Sequence, residues 1–263
     1  MADVRADTGA PEEAMVSPRG VGASADFLTL SHMHSSFACL ALLLACSPAV
    51  EPPAAVAPKA VAVDAAQEKT DGFVMLFNGT DLAGWVGDTK GYKVESIDGK
   101  GAIVCQPGGT NLFTKDEYAD FELRLEFQLS PGANNGLALR APLEGDPAYA
   151  GFESQVLDNT AAQYKGLKDW QYHGSLYGVT AATATALKPV GEWNSQTVTM
   201  KGKRVTIVLN GVTIVDVDLD KVAPGGKTVS DHKVEGLTRT KGHIGFCGHG
   251  DRVAFRNIRV KKM

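Results

Sequence analysis

The sequence lacks most of the features that narrow a function quickly. No apolar run approaches the ~20 residues that span a bilayer. Only four cysteines occur among 263 residues, and two of them, Cys39 and Cys46, lie near the N-terminus. In an oxidising compartment the remaining pair, Cys105 and Cys247, could join, but the preferred reading is two small buried hydrophobes. Charge of either sign is also missing in net terms. Residues 71–263 carry 22 basic and 22 acidic side chains. A neutral domain has no long-range field to gather nucleic acid or an anionic membrane, so its partner is expected to be neutral and read by short-range contacts. There is no H-E-x-x-H, no C-x-x-C, no calcium-type loop, no G-x-S-x-G and no phosphate-cradling glycine loop. No cofactor is expected, although scattered His and Asp leave a bound metal ion open.

The N-terminal region is organised differently from the rest. Residues 37–45, FACLALLLA, have the length of a signal-peptide core, and LLAC at 43–46 resembles the lipobox of bacterial lipoproteins, with Cys46 as the lipidated residue. The expectation is an exported, periplasmic or cell-envelope lipoprotein that touches membrane only through that anchor; a cytosolic leader is the alternative. On the exported reading, residues 33–46 are the signal segment with Met33 as the natural start, and 1–32 are a mis-assigned extension or unstructured leader. Residues 47–70, rich in Pro and Ala, read as a tether.

What is present from residue 71 onward is strand pattern. FELRLEFQL at 121–129 alternates without a break, so Phe121, Leu123, Leu125, Phe127 and Leu129 share a face. GLALRA at 136–141, HIGFCG at 243–248 and VAFRNIRV at 253–260 add strands. Asn210-Gly211 between two β-branched runs is a hairpin signal, because both turn residues need positive φ. No helix-period segment of ten residues interrupts them. Many short strands without a repeat predict an all-β, two-sheet antiparallel sandwich or jelly roll. The stretches 141–151 and 158–192 are long for plain connections, which points to function.

One strand is chemically conspicuous. GFESQVLDN at 151–159 sets Glu153 and Gln155 on one face, as a solvated surface or the floor of a cleft. Asp158 is the nearest second carboxylate. Five strand residues separate it from Glu153 by roughly 16 Å and an odd offset reverses its face, whereas glycosidase carboxyls stand about 5 to 9.5 Å apart. A bulge could reconcile them; otherwise Asp158 caps a turn. Arg140 is either a surface residue or a cationic partner in the cleft. Asn134 is expected in a turn and Asn135 in the cleft. His249, between glycines, is the candidate general base. Tyr164, Trp170, Tyr172 and Tyr177 crowd one loop with His173; Tyr177 is expected in the cleft and Trp193 in the core.

Several blocks taken together resemble a known family. LFNGTDLAGW (76–85), DFELRLEFQLSPGANNGLALRAP (120–142), GDPAYAGFESQVLDN (145–159), GSLYG (174–178), KPVGEWN (188–194), LNGV (209–212) and HGDRVAFRNIRV (249–260) follow in the order of the 3-keto-disaccharide hydrolases. That resemblance implies a concanavalin A-like sandwich over 71–263, of the lectin and glucanase type, acting on a small carbohydrate already oxidised to a ketone at C3. It also implies an elimination route in place of ordinary glycoside hydrolysis. On that route His249 is the base, Arg140 the enolate partner and Glu153 the acid or orienter, while Gln155, Asn135, Tyr177, Asp158 and His173 contact substrate. Two other readings stay open: direct hydrolysis by Glu153 and Asp158, and a glycan-binding module without turnover.

Overall fold

The computed structural model describes residues 69–263, Asp231 excepted. The leader, the signal segment with Cys46 and the tether lie outside these residues, apart from Lys69 and Thr70. The chain forms a sandwich of two antiparallel sheets. The larger runs β11 (Val212–Asp218), β10 (Arg204–Leu209), β9 (Trp193–Lys201), β6 (Phe121–Leu129), β13 (Val253–Lys262), β4 (Lys100–Cys105) and β3 (Tyr92–Ile97), with the two-residue β1 (Val74–Met75) also on β13. The smaller runs β2 (Trp85–Gly87), β5 (Asn111–Tyr118), β12 (Gly242–Cys247), β7 (Asn134–Ala141) and β8 (Phe152–Leu157).

Periodicity set by the sequence decides which residues fill the space between the sheets. β6 buries its odd-numbered apolar residues and leaves Glu122, Arg124, Glu126 and Gln128 partly exposed, as its alternation predicts. From the opposing sheet Phe246 stacks on Phe255 at 3.8 Å and on Trp85 at 5.2 Å. The β10–β11 hairpin turns at Asn210 (φ 50°) and Gly211 (φ 85°), so the expected two-residue turn is present. Trp193 departs from expectation. It is half-buried beside β4 and β13, under the Arg256 guanidinium at 3.7 Å and bonded to Asp98, away from the main core.

Two irregularities in the smaller sheet matter for the site. β7 carries one extra residue against β12, since His243 pairs with Ala141 and Gly245 with Ala138. The extra residue lies at Arg140, whose φ is +49°. Such a bulge breaks the alternation of side chains. The second is at the free edge of β8, where residues 173–177 lie alongside the strand. Gly174 N–H donates to Gln155 O, Gln155 N–H to Ser175 O and Tyr177 N–H to Glu153 O, at 2.8–3.0 Å. This satisfies backbone groups that an edge strand would expose.

Candidate active site

The outward face of the smaller sheet has a floor of small residues. Gly136 on β7 pairs with Gln155 on β8, Ala138 with Glu153, and Gly245 on β12 with Ala138. With almost no side chains on the inner strands, the longer side chains of β8 can lie flat across them. Glu153 does so: a methyl group at Gly136 would overlap its Oε1. A cavity of about 300 Å³ sits above, lined on its floor by Glu153, Gln155, Cys247 and Asn111.

Glu153 is 5% exposed, and its carboxyl has no hydrogen-bond partner among the described residues. Burial, with a smaller contribution from the Asp146 charge, pushes its pKa up to about 8. The group is therefore a neutral acid at neutral pH. Gln155 accepts the Val156 N–H through Oε1 at 3.2 Å, which leaves its amide NH2 for a ligand.

One wall comes from the 141–151 connection. Asp146 caps a single helical turn, α1 (Pro147–Ala150), by accepting the Ala148 N–H at 3.0 Å, and both it and Tyr149 line the cavity. Tyr149 meets Tyr177 edge-on at 6.2 Å, and Tyr177 meets Trp170 at 5.0 Å. Burial, then the neighbouring Tyr177 and Asp146, raise the Tyr149 phenol to about 12, so it stays a donor. The exposed His249 stands at the rim. Its loop is held on both sides by Gly248 N–H to Thr110 O (3.1 Å) and Gly250 N–H to Gly109 O (2.9 Å), and the Asn134 N–H donates to Asp251 beyond it. The close approach requires glycine, because a Cβ at Gly248 would press on Gly109 O and Tyr92 Oη at 2.7 Å.

A family model for the 3-keto-α-glucoside-1,2-lyase-like domain matches residues 72–261. The chain belongs to that family. A 3-keto-disaccharide hydrolase of Bacteroides thetaiotaomicron is 29% identical over 227 residues, covering 73% of this chain and 78% of the relative. Two solved structures of Parabacteroides distasonis proteins, each provisionally named a glycosyl hydrolase, superpose with TM-scores of 0.63 and 0.60. They are 29% and 27% identical; the first match covers 76% of this chain and 98% of that one, the second 73% and 99%.

Within this family fold, the cleft brings together Glu153, Gln155, Tyr177 and His249, and leaves four expected residues outside. Arg140 is displaced by its bulge: its guanidinium donates to Ala119 O (2.7 Å), Gly202 O (2.9 Å) and Asp120 (2.8 Å), which ties two turns together, and it does not line the cavity. Asp158 accepts the Gly132 N–H and both the N–H and hydroxyl of Thr160, so it is a turn residue, and it does not line the cavity. Asn135, expected in the cleft, is a fully buried residue of β7 that accepts the Gly136 N–H, while Asn134, expected in a turn, is the first residue of β7 and lines the cavity. His173 packs against Phe127 at 5.1 Å, and its Nδ1 accepts the Leu157 N–H at 3.3 Å. Burial lowers its pKa to about 3, making it a neutral interior imidazole.

Sequence reasoning missed Asp146, Tyr149, Asn111 and the cleft position of Cys247. Asp146-Pro147 did carry a signal, an N-cap followed by proline at the first helical position. Cys105 and Cys247 are both unpaired and buried. Among the described residues no group of three or more His, Cys, Asp or Glu converges in metal-binding geometry.

Proposed function

We propose that the chain cleaves glycosidic bonds of 3-keto-glycosides by elimination across C1 and C2, followed by addition of water. The ketone at C3 acidifies the C2 proton. His249 removes that proton, the electron pair moves into a C2–C3 enolate, the C1–O bond breaks, and the leaving oxygen takes a proton from Glu153. Water then adds at C1 to give net hydrolysis. The enolate oxygen is received by neutral donors, with the Gln155 amide foremost, since no Lys or Arg lines the cavity. The observation that carries this reading is Glu153 itself: a buried, unpartnered carboxyl on the cleft floor that is still protonated near neutral pH. Ordinary retaining chemistry would need an ionised partner carboxylate close by.

One observation favours a second reading. Asp146 lines the same cavity, so a two-carboxylate hydrolysis would use Glu153 and Asp146 in place of Glu153 and Asp158. Incubation of a 3-keto-glucoside in heavy water separates the two. Elimination predicts deuterium at C2, abolished by His249→Ala, and no turnover of glycosides lacking the ketone. Rapid cleavage of an unoxidised glycoside, with no deuterium at C2 and loss of activity in Asp146→Asn, would install the two-carboxylate reading. Saturable binding without turnover would leave a glycan-binding module.

A further inference from the structure

The chemistry proposed for Glu153 and His249 makes no use of the aromatic wall. That wall is a string of four rings drawn from three separate loops. His232 lies tilted against Tyr149 at 4.6 Å, Tyr149 meets Tyr177 at 6.2 Å, and Tyr177 meets Trp170 at 5.0 Å. Of the four, Tyr149 and Tyr177 line the cavity, with His232 and Trp170 behind them. The assembly is fixed before any ligand arrives. Gln171 donates to the Tyr177 hydroxyl at 3.1 Å, and Ser230 N–H bonds Gly178 O at 3.1 Å. Gly178 has φ +69°, and a Cβ there would meet Ser230 Oγ at 3.0 Å and Tyr149 Cε1 at 3.4 Å, so glycine lets the three loops close on one another.

The wall also stands on a particular side of the reaction. The Tyr177 N–H donates to the Glu153 carbonyl at 2.8 Å, and Tyr149 lines the same cavity as Glu153. Both rings therefore stand at the β8 side of the cavity, the side of the strand that carries the acid, whereas the proposed base sits on the 248–251 loop. Rings beside the acid meet the leaving group. Besides Glu153 the cavity lining holds one acidic side chain, Asp146, and no Lys or Arg, which disfavours a phosphorylated or carboxylated leaving group.

We propose that Tyr149 and Tyr177, backed by His232 and Trp170, form the leaving-group subsite and select an uncharged six-membered ring, whose apolar face stacks on the tyrosines. The assignment of the leaving-group side rests on the elimination reading. The test compares kcat/KM of the purified protein for 3-keto-glucosides carrying a glucosyl, a phenyl, a carboxyphenyl or a methyl aglycone. Wild type should prefer the rings to methyl, with carboxyphenyl well below phenyl, and the glucosyl and phenyl arms tell a pyranose site from an aryl one. Tyr149→Leu should reduce the ring-to-methyl ratio about tenfold and Trp170→Leu a few-fold, in line with the energy of one stacked pair. An unchanged ratio, with all substrates losing activity by the same factor, would make the wall a merely structural element and overturn the proposal. Should wild type turn over no 3-keto-glucoside at all, the elimination reading falls, and calorimetric titration with unoxidised phenyl β-glucoside still decides the subsite. Saturable binding weakened about tenfold by Tyr149→Leu supports a ring site; binding that is absent, or indifferent to the substitution, refutes it.

Discussion

Glu153 and Asp158 lie five residues apart on the same strand and its exit turn, and they are about equally buried, at 5% and 4% exposure. Their carboxyl groups nevertheless move in opposite directions. Burial raises Glu153 to about 8 because nothing offsets it. Burial also acts upward on Asp158, but the Thr160 hydroxyl and the N–H groups of Gly132 and Thr160 outweigh it and hold the group below its ordinary range. Two things separate them: the Glu153 carboxyl is enclosed on all sides and receives no donor, whereas the Asp158 carboxyl lies close beneath the surface and receives three. A partnered carboxylate is part of the scaffold. An unpartnered one on a cleft floor is a cost in stability that a binding or catalytic role explains.

The sharpest way to break this comparison is to neutralise each group in turn. Glu153→Gln keeps the shape and removes the transferable proton, so turnover of a 3-keto-glucoside should fall about 10³-fold with melting temperature held or raised. Asp158→Asn should do the reverse. An amide can still accept from Thr160 but turns a donor toward the Gly132 N–H, at a cost of about 1–3 kcal/mol in stability with turnover changed only slightly. Loss of turnover in Asp158→Asn without loss of stability would return the two-carboxylate pairing to this strand.

The pH dependence of stability should separate the pair by sign. Glu153 is raised in the folded chain. Between about pH 4.5 and pH 8 the folded state holds a proton that the unfolded state has released, and stability is lost as pH rises through that window. Asp158 is lowered; its contribution is present above the unfolded value and is lost as pH falls toward the folded one. His173, lowered to about 3, also removes stability on the acid side, below its ordinary 6.5. The stability advantage of Glu153→Gln over wild type, from urea midpoints, should therefore grow by an amount on the order of 4 kcal/mol between pH 5 and pH 8. An advantage that does not change with pH would mean that Glu153 is not held protonated.

The sandwich was legible because strands report themselves through period-2 alternation and turn chemistry, both local. β6 and the Asn210-Gly211 hairpin were readable for that reason. The same logic placed Glu153 and Gln155 on one face, and it failed at Arg140 for a definite cause: a single extra residue in β7 reverses which way a side chain points, and no local pattern announces it. Asn134 and Asn135 were misplaced for a related reason: β7 begins at Asn134, which sets Asn134 on the face of Gly136 and Asn135 on the other. Tyr149 and Asp146 were invisible for another reason. They come from a connection that only the folded chain lays beside β8. Asp158 was readable as a turn residue from its place before Asn159, and its bonds from Gly132 and Thr160 are those of a turn.

The smallest change that sharpens the contrast adds one methyl group. Gly136 is the neighbour of Gln155 across the β7–β8 ladder, and the Glu153 side chain lies over it. Its φ is not in the left-handed region, so alanine carries no backbone strain there, and the three atoms nearest an added methyl group all belong to the Glu153 side chain. That carboxyl has no hydrogen bonds to lose, so it can swing away at little cost in stability. Swinging carries it off the floor and toward water, which removes the burial that keeps it protonated. Gly136→Ala should thus leave the melting temperature within a few degrees of wild type, lower kcat about 10²-fold as a misplaced acid does, and shift the alkaline limb of the pH–rate profile toward lower pH. If the limb stays in place while kcat falls, the methyl group is blocking substrate and not moving the acid. If neither changes, the Glu153 carboxyl does not depend on the glycine floor, and its separation from Asp158 must come from the strand alone.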